Sequence, residues 1–307
     1  MNTQANAMNE SPIQSQGTAP AAVSTVRVMY WSIRREIWEN RAIYLAPLAA
    51  AAVFLFGFAI NLGIMRRHLG ASPLGPAQPH DLLATRYELS AAMVMGTAFI
   101  VGLFYSLDAL YGERRDRSIL FWKSLPVSDL TTVLSKLAIP IVVLPLLSFA
   151  ITLATQFIML VMSSVMLLGS GVNIAALWTE VSFVHVSLVL LYHLLTVHGL
   201  YYAPIYGWLL MVSAWAPRAP FIWAFLPPFV ICGLEKIAFN TTYFLALLEE
   251  RLTGPGGSMV EHDHAQDFTG TLIPHHFYSA PGLWIGLAIA VAFLAVAVRL
   301  RRYRGPI

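Results

Sequence analysis

The chain has 307 residues, of which 57% are hydrophobic and 11% charged, with a net charge of +3 and a mean hydropathy of +0.66. This balance excludes an ordinary soluble domain and predicts an all-α integral membrane protein. The single cysteine, Cys232, excludes a disulfide within the chain and any metal site built from several cysteines.

The N-terminal segment is predicted to be a disordered tail over residues 1–22, without the features of a secretory signal. The pattern then changes, because an apolar row and an arginine row recur at helical spacings on different faces. The apolar row is Val26, Tyr30, Ile33 and Ile37, and the arginine row is Arg27, Arg34 and Arg41. Together the rows predict an amphipathic helix at the membrane interface, and the alternative is a cytoplasmic start to a long first crossing.

Six apolar stretches are predicted to cross the bilayer, since a crossing helix needs roughly 20 apolar residues. They cover residues 43–65, 90–110, 137–168, 181–213, 221–239 and 282–298. The third lies within 43 residues that contain no Asp, Glu, Lys or Arg. That span could hold one crossing or a tight hairpin, and one crossing that ends at the turn sequence Gly169–Asn173 is favoured.

Basic residues predict the orientation, because Lys and Arg concentrate on the cytoplasmic side near crossing ends. With six crossings, fourteen of the 19 basic residues fall on one side. They are Arg27, Arg34, Arg35, Arg41, Arg114, Arg115, Arg117, Lys123, Lys136, Arg218, Arg299, Arg301, Arg302 and Arg304. Both termini are therefore predicted to be cytoplasmic, which requires an even number of crossings; eight remains an alternative to six.

The loop at residues 111–129, between the second and third crossings, combines dense charge with an apolar patch. Its polar beginning predicts a helix, Pro126 ends that helix, and Ser128 or Asp129 caps the next one. A short helix at the membrane surface would suit insertion into a groove on a cytoplasmic protein, with Phe121 and Trp122 as anchors. The alternative is a basic loop that fixes topology and binds lipid phosphates.

The fourth crossing carries polar groups that are candidates for a transport pathway or hinge. His193 and His198 are five residues apart, about 140° around an α-helix, so they do not share one face and hydrogen bonding is favoured over metal ligation. Tyr202 and Pro204 predict a kink or local unwinding that would serve as a hinge or a cavity wall, and the alternative is an ordinary proline kink. Near the outer end of the fifth crossing, Glu235 and Lys236 are predicted to reach the interface or to pair with a neighbour.

The extracytoplasmic loop at residues 240–281 contains several histidines whose spacing matches no defined metal site. These weak candidates for Cu or Zn are His262, His264, His275 and His276. A solvated loop is favoured, and metal binding is the alternative.

Two stretches resemble ABC-2 type transporter permeases. The run YGERRDRSILFWKSLPVSDLTTVLSK is similar to their first cytoplasmic loop, through Glu113-Arg114, the LPVS element Leu125 to Ser128, and Lys136. The run from Tyr202 to Pro228 is similar to the junction of the fourth and fifth crossings in bacterial members. The likeness extends over most of the chain and implies an ABC-2 type transmembrane domain at residues 23–304.

This resemblance implies a permease subunit that exports a substrate by alternating access in a bacterial inner membrane. Two permease copies would work with two separate ATPases, which hold ATP and Mg²⁺, and membrane lipids are the remaining partners. No cofactor on this chain and no nucleic-acid partner are expected, and the chain lacks any Gly-Lys pair and hence a P-loop of its own. The loop would be the coupling helix, flanked by the N-terminal helix. Its expected ATPase contacts are Glu113, Arg114, Asp116, Arg117, Phe121, Trp122, Leu125 and Pro126.

Three other functions stay open at this level. A membrane-embedded hydrolase or protease could use Ser170 and the following histidines, although the G-x-S-x-G elbow is missing. A permease that supports copper-enzyme maturation would use the histidines of the outer loop. A scaffold without transport activity is the third.

Overall fold

The computed structural model describes residues 24–69, 79–125, 127–166, 168, 183–253 and 277–307, and these residues contain helices and no strand. The α-helices are α1 Thr25–Glu39, α2 Ala42–Leu69, α3 Pro79–Ala109, α4 Tyr111–Arg115, α5 Ile119–Ser124, α6 Asp129–Ala138, α7 Leu144–Met166, α8 Phe183–His193, α9 Ala203–Trp215, α10 Pro220–Phe239, α11 Tyr243–Thr253 and α12 Pro281–Tyr303. The predicted tail at 1–22, the turn at 169–173, Ser170, Pro126 and the four outer-loop histidines lie outside the described residues.

Five helical stretches are long and apolar enough to cross a membrane, so the chain is a multi-pass membrane protein in architecture. They are Ala42–Ile64, Arg86–Arg115, Asp129–Met166, Pro220–Phe239 and Pro281–Tyr303. Each contains or overlaps a predicted crossing. The third is a single continuous helical stretch over the residues described, which agrees with one crossing rather than a hairpin there.

The predicted fourth crossing is instead divided into α8, a π-helical segment Leu194–Tyr201, and α9. The π-helical segment ends where the sequence predicts a kink. Pro204 stands in the first turn of α9 and has no N–H to donate to the preceding turn. A shorter π-helical turn, Ile139–Val143, separates α6 from α7 around Pro140 for the same reason. α9 alone, with 13 residues, is too short to span a bilayer.

The N-terminal helix is separate from the first crossing, as predicted for an amphipathic helix. α1 ends at Glu39, Asn40 leaves the helical conformation, and α2 begins at Ala42. Ile33 and Ile37 pack against the bundle, whereas Val26 and Tyr30 from the same predicted row remain exposed. The helix is therefore anchored to the bundle along its C-terminal half.

Two groups of helices build the core. α2, α3 and α7 enclose Phe58, Tyr87 and Met159. α9 packs closely on α12, and a Cβ atom on Gly207 would lie 3.2 Å from the carbonyl oxygen of Ala290. Glycine at this position thus permits the close approach of the two helices.

The two ends of the bundle differ in composition. At one end, α1, the loop that carries α4 and α5, the start of α6 and the C-terminus meet; Lys123 Nζ lies 3.2 Å from the carbonyl oxygen of Arg302 there. We call this the charged end. At the other end, α11 folds back onto the bundle, and the Tyr202 hydroxyl donates a hydrogen bond of 2.7 Å to the carbonyl of Leu252.

Candidate functional site

The charged loop forms two short helices rather than the one predicted. α4 and α5 are separated at Arg117, whose φ of 58° is left-handed and cannot continue a right-handed helix. The predicted cap of the next helix is confirmed, because Ser128 Oγ accepts a hydrogen bond of 3.0 Å from the backbone N–H of Thr131 at the start of α6.

The outer surface of the loop is apolar in its second half and charged in its first. Phe121 is 60% exposed and Leu125 37% exposed, and Asp116 and Arg117 are exposed as well. Trp122 is half-buried, with its ring centroid 5.0 Å from that of Phe121. We call these five residues the loop surface.

Two of the other predicted contact residues of the loop, Glu113 and Arg114, are buried, and Pro126 lies outside the described residues. Glu113 is 8% and Arg114 6% exposed. Arg114 Nη1 donates hydrogen bonds to the carbonyl oxygens of Ala214 and Ala216, at 2.6 and 3.2 Å, at the C-terminal end of α9. A cation is favoured at this end of a helix dipole. In this conformation the two side chains hold the loop on the bundle and are not accessible at its surface.

Beneath the loop lies a group of charged residues drawn from four helices, α1, α4, α6 and α12, which we call the charge cluster. Its members are Arg35, Glu36, Glu113, Asp129, Lys136 and Arg301. Lys136 Nζ lies 2.9 Å from Glu36 Oε1 and 3.1 Å from Glu113 Oε1. The cluster therefore joins α1, the loop and α6 through one ammonium group.

Arg301 extends the cluster to the last helix. Its Nη2 donates to Glu113 Oε2 at 3.0 Å, and its Nη1 donates to the carboxylate of Asp129. On the opposite side, the Tyr105 hydroxyl donates to Glu36 Oε2 at 2.8 Å, which adds α3. These contacts bring together the elements at the charged end.

The cluster is electrically balanced and largely removed from solvent. Three carboxylates face three cations, and Glu36 and Lys136 are only 1% and 3% exposed. Burial alone would raise the pKa of Glu36, but the neighbouring Lys136 ammonium and Arg35 guanidinium outweigh burial and hold that pKa below its usual range. An unpaired charge here would bear a desolvation penalty of several kcal/mol, so the members depend on one another.

Only part of this cluster is predictable from the sequence. The family resemblance points to Lys136, whereas Glu36 and Tyr105 belong to no motif and Arg301 is one of several basic residues that predict the orientation. A detectable signal existed for Glu36, because it falls between Ile33 and Ile37 on the inward face of an amphipathic helix, where an acid needs a partner. Arg301 could not be told apart from its neighbours in the basic C-terminus.

A second group of predicted residues lies nearer the other end. The His193 and His198 ring centroids are 5.9 Å apart, and the Tyr202 ring is 4.7 Å from that of His198. The prediction that the two histidines point to different faces is therefore wrong. Its α-helical spacing does not apply, because the intervening segment is π-helical and there residues five apart are hydrogen-bond neighbours. Among the described residues no group of three or more metal-ligating side chains occurs.

α11 closes this end against the bundle. Tyr201 Oη lies 3.0 Å from Glu250 Oε1, the Arg251 guanidinium carbon lies 4.4 Å from the Tyr201 ring centroid, and Arg251 Nη2 donates to the Gly282 carbonyl. Glu235 has the neighbour that the sequence predicts for it, since its carboxylate accepts the backbone N–H groups of Tyr243 and Phe244 at the start of α11.

Comparison with known proteins identifies no relative: no family model, no curated protein and no solved structure matches the chain.

Proposed function

We propose that the chain is the transmembrane permease subunit of an ATP-binding cassette transporter and exports a substrate by alternating access. The observation that carries the proposal is the exposed loop surface. Buried polar contacts of Glu113 and Arg114 join the base of the loop to three helices of the bundle, α6, α9 and α12. A separate ATPase that holds ATP and Mg²⁺ would bind this surface. The family resemblance of the loop supports the same assignment.

An exposed phenylalanine beside exposed charges has the composition of a protein contact. Phe121 offers an apolar anchor, and Asp116 and Arg117 can set the register of a partner. The half-buried Trp122 stiffens the surface, because the Arg35 guanidinium carbon lies 3.7 Å from its ring centroid. The anchor is thus held in place before a partner arrives.

The base of the loop would transmit a movement. Glu113 forms ion pairs with Arg301 of α12 and with Lys136 of α6. Lys136 also forms an ion pair with Glu36 of α1. Displacing the loop therefore moves these helices together or exchanges buried ion-pair partners. Either response gives discrete states, as alternating access requires.

The topology supports six crossings with both termini in the cytoplasm. α8, the π-helical segment and α9 together cover residues 183–215 and would make the fourth crossing beside the five long ones. The end of α1 and the end of α12 meet at the charged end, as an even number of crossings requires. We place the charged end in the cytoplasm of a bacterial cell because basic residues concentrate there. A second permease copy would complete the transporter.

The test is co-purification of the tagged permease with an ABC-type ATPase from the same cells. Phe121→Ala combined with Arg117→Glu is expected to abolish co-purification and to leave insertion and thermal stability unchanged, since both side chains are exposed. Tyr303→Ala is the matched control, because Tyr303 is an exposed aromatic residue at the same end. Unchanged co-purification of the double variant would reject the role of the loop surface.

The orientation is tested separately. A single cysteine at the exposed Ser124, in a Cys232→Ser background, is expected to react with a membrane-impermeant maleimide only after the cytoplasmic side is opened. Reaction on intact cells would contradict the assignment of the charged end.

A further inference from the structure

We infer that the exposed side of α1 is a binding site for the headgroup of an anionic phospholipid, with Arg34 as its central ligand. Four residues form one row along that side: Arg27, Trp31, Arg34 and Trp38. Their spacings of four, three and four keep them on one strip of the helix. The row is about 17 Å long at 1.5 Å per residue. This inference requires a membrane surface and does not depend on the ATPase.

Arg34 is oriented by the two tryptophans. Its guanidinium carbon lies 5.1 Å from the Trp31 ring centroid and 4.5 Å from the Trp38 ring centroid. Stacking of this kind fixes the guanidinium plane and leaves its N–H edges available. Within the described part of the chain those N–H groups make no hydrogen bond or ion pair. A guanidinium so placed suits two oxygens of one phosphate group.

The charge of the row favours an anion. It contains two arginines and no carboxylate, and Arg41 follows just beyond the end of α1. The nearest acids are engaged elsewhere, because Glu36 is buried in the charge cluster and Glu39 pairs with Arg35 at 3.5 Å. Each arginine near an anionic membrane surface contributes about 1 kcal/mol, or roughly a fivefold change in affinity.

The surroundings favour a lipid over a soluble anion or a protein. The row ends four residues before the first membrane-spanning helix begins at Ala42, which places it beside the bilayer surface. Trp31 and Trp38 are 49% and 64% exposed, and indoles concentrate at the headgroup level of membranes. The apolar Val26 and Tyr30, also exposed, lie on the adjoining side of the helix and can enter the acyl boundary.

The same helix carries the charge cluster on another face. Arg34 and Glu36 are two residues apart, so their side chains leave the helix about 200° apart. Glu36 is bonded to Lys136 and Tyr105. A lipid held at the Arg-Trp row therefore fixes the helix that the cluster uses on its other side.

The test is native mass spectrometry of the full-length chain in detergent, titrated with dioleoylphosphatidylglycerol or with dioleoylphosphatidylcholine. The wild type is expected to bind the anionic lipid more tightly than the zwitterionic one. Arg34→Gln should weaken binding of the anionic lipid about fivefold and leave binding of the zwitterionic lipid unchanged. Arg218→Gln is the control, because it removes one exposed arginine from the loop that follows α9 at the same end of the bundle.

Two further variants separate a built site from diffuse charge. Arg34→Lys keeps the positive charge but loses the planar guanidinium that stacks on the two indole rings. Trp31→Leu combined with Trp38→Leu keeps apolar side chains beside Arg34 but removes the rings on which the guanidinium stacks. Both should retain only part of the preference for the anionic lipid. Equal preference in wild type and Arg34→Lys would overturn the site, as would equal losses in Arg34→Gln and Arg218→Gln. An Arg34→Gln variant that keeps the full wild-type preference for the anionic lipid would likewise overturn the site.

Discussion

Replacing Lys136 with methionine tests the charge cluster most directly. The ammonium group lies 2.9 Å from Glu36 Oε1 and 3.1 Å from Glu113 Oε1, and the two glutamates are 1% and 8% exposed. Its removal leaves the cluster with three carboxylates and two cations in a site that water hardly reaches. Breaking a buried ion pair from one side destabilises a protein by about 3–5 kcal/mol. For a chain of this length that corresponds to a fall in Tm of roughly 5–8 °C.

The assay is thermal unfolding in detergent, with two comparisons. The first is Lys123→Met, which removes an exposed lysine. Among the described residues its ammonium group contacts only the carbonyl oxygens of Arg302 and Arg304. This change should alter the free energy of unfolding by less than about 0.5 kcal/mol. Glu36→Gln combined with Lys136→Met restores neutrality and should recover part of the loss. If Lys136→Met unfolds at the same temperature as Lys123→Met, the cluster does not hold the charged end together.

Three further predictions address other contacts. Glu36→Gln should lower the unfolding temperature at neutral pH, because the Glu36 carboxylate has a lowered pKa in the folded protein and so stabilises the fold above its usual pKa. That stabilisation is lost when the carboxylate is protonated, so the difference from wild type should shrink as the pH falls below about 4. A pH series of unfolding curves checks this. Gly286→Ala should displace the Arg251 guanidinium, which occupies the space that the new Cβ would need, and should expose the α11 end to proteolysis. Gly282→Ala should not, since the nearest atom to its new Cβ is 3.8 Å away. Ser128→Ala should destabilise the start of α6 by about 1 kcal/mol, measured as a Tm shift.

Most of the fold could be predicted because lipid imposes a simple rule on sequence. A crossing must be a long helix free of unpaired charge, so charge-free runs mark the helices. The predicted crossing at 221–239 and the observed α10, Pro220–Phe239, differ by one residue. The last helix extends beyond its predicted end to Tyr303, because arginines can continue a helix once it leaves the hydrocarbon.

The charge cluster could not be predicted in the same way, because it depends on which helix ends meet. Glu36, Glu113 and Arg301 are separated by 77 and 188 residues of chain, and no local pattern links them. The histidine pair failed for a different reason. The α-helical period does not hold between Leu194 and Tyr201, where a π-helical segment changes which residues are neighbours. The cluster thus depends on tertiary packing, and the histidine pair depends on a local change of helix type.

α9 and α12 offer a physical route between the proposed ATPase contact and the far end of the bundle. At the charged end, α9 receives Arg114 at the Ala214 carbonyl, and α12 supplies Arg301 to the cluster. At the other end, α12 begins beside Arg251, whose guanidinium donates to the Gly282 carbonyl.

Between the two ends, α9 and α12 lie in direct contact where Gly207 faces Ala290, so one helix cannot shift freely past the other. A displacement of the loop surface would therefore reach the α11 contacts through this helix pair. The π-helical segment Leu194–Tyr201 lies just before α9, and π-helical turns inside helices are frequent at functional sites. On the proposed function, an ATPase that pulls the loop at the charged end would thereby loosen the closure made by Tyr201, Tyr202 and Arg251 at the other.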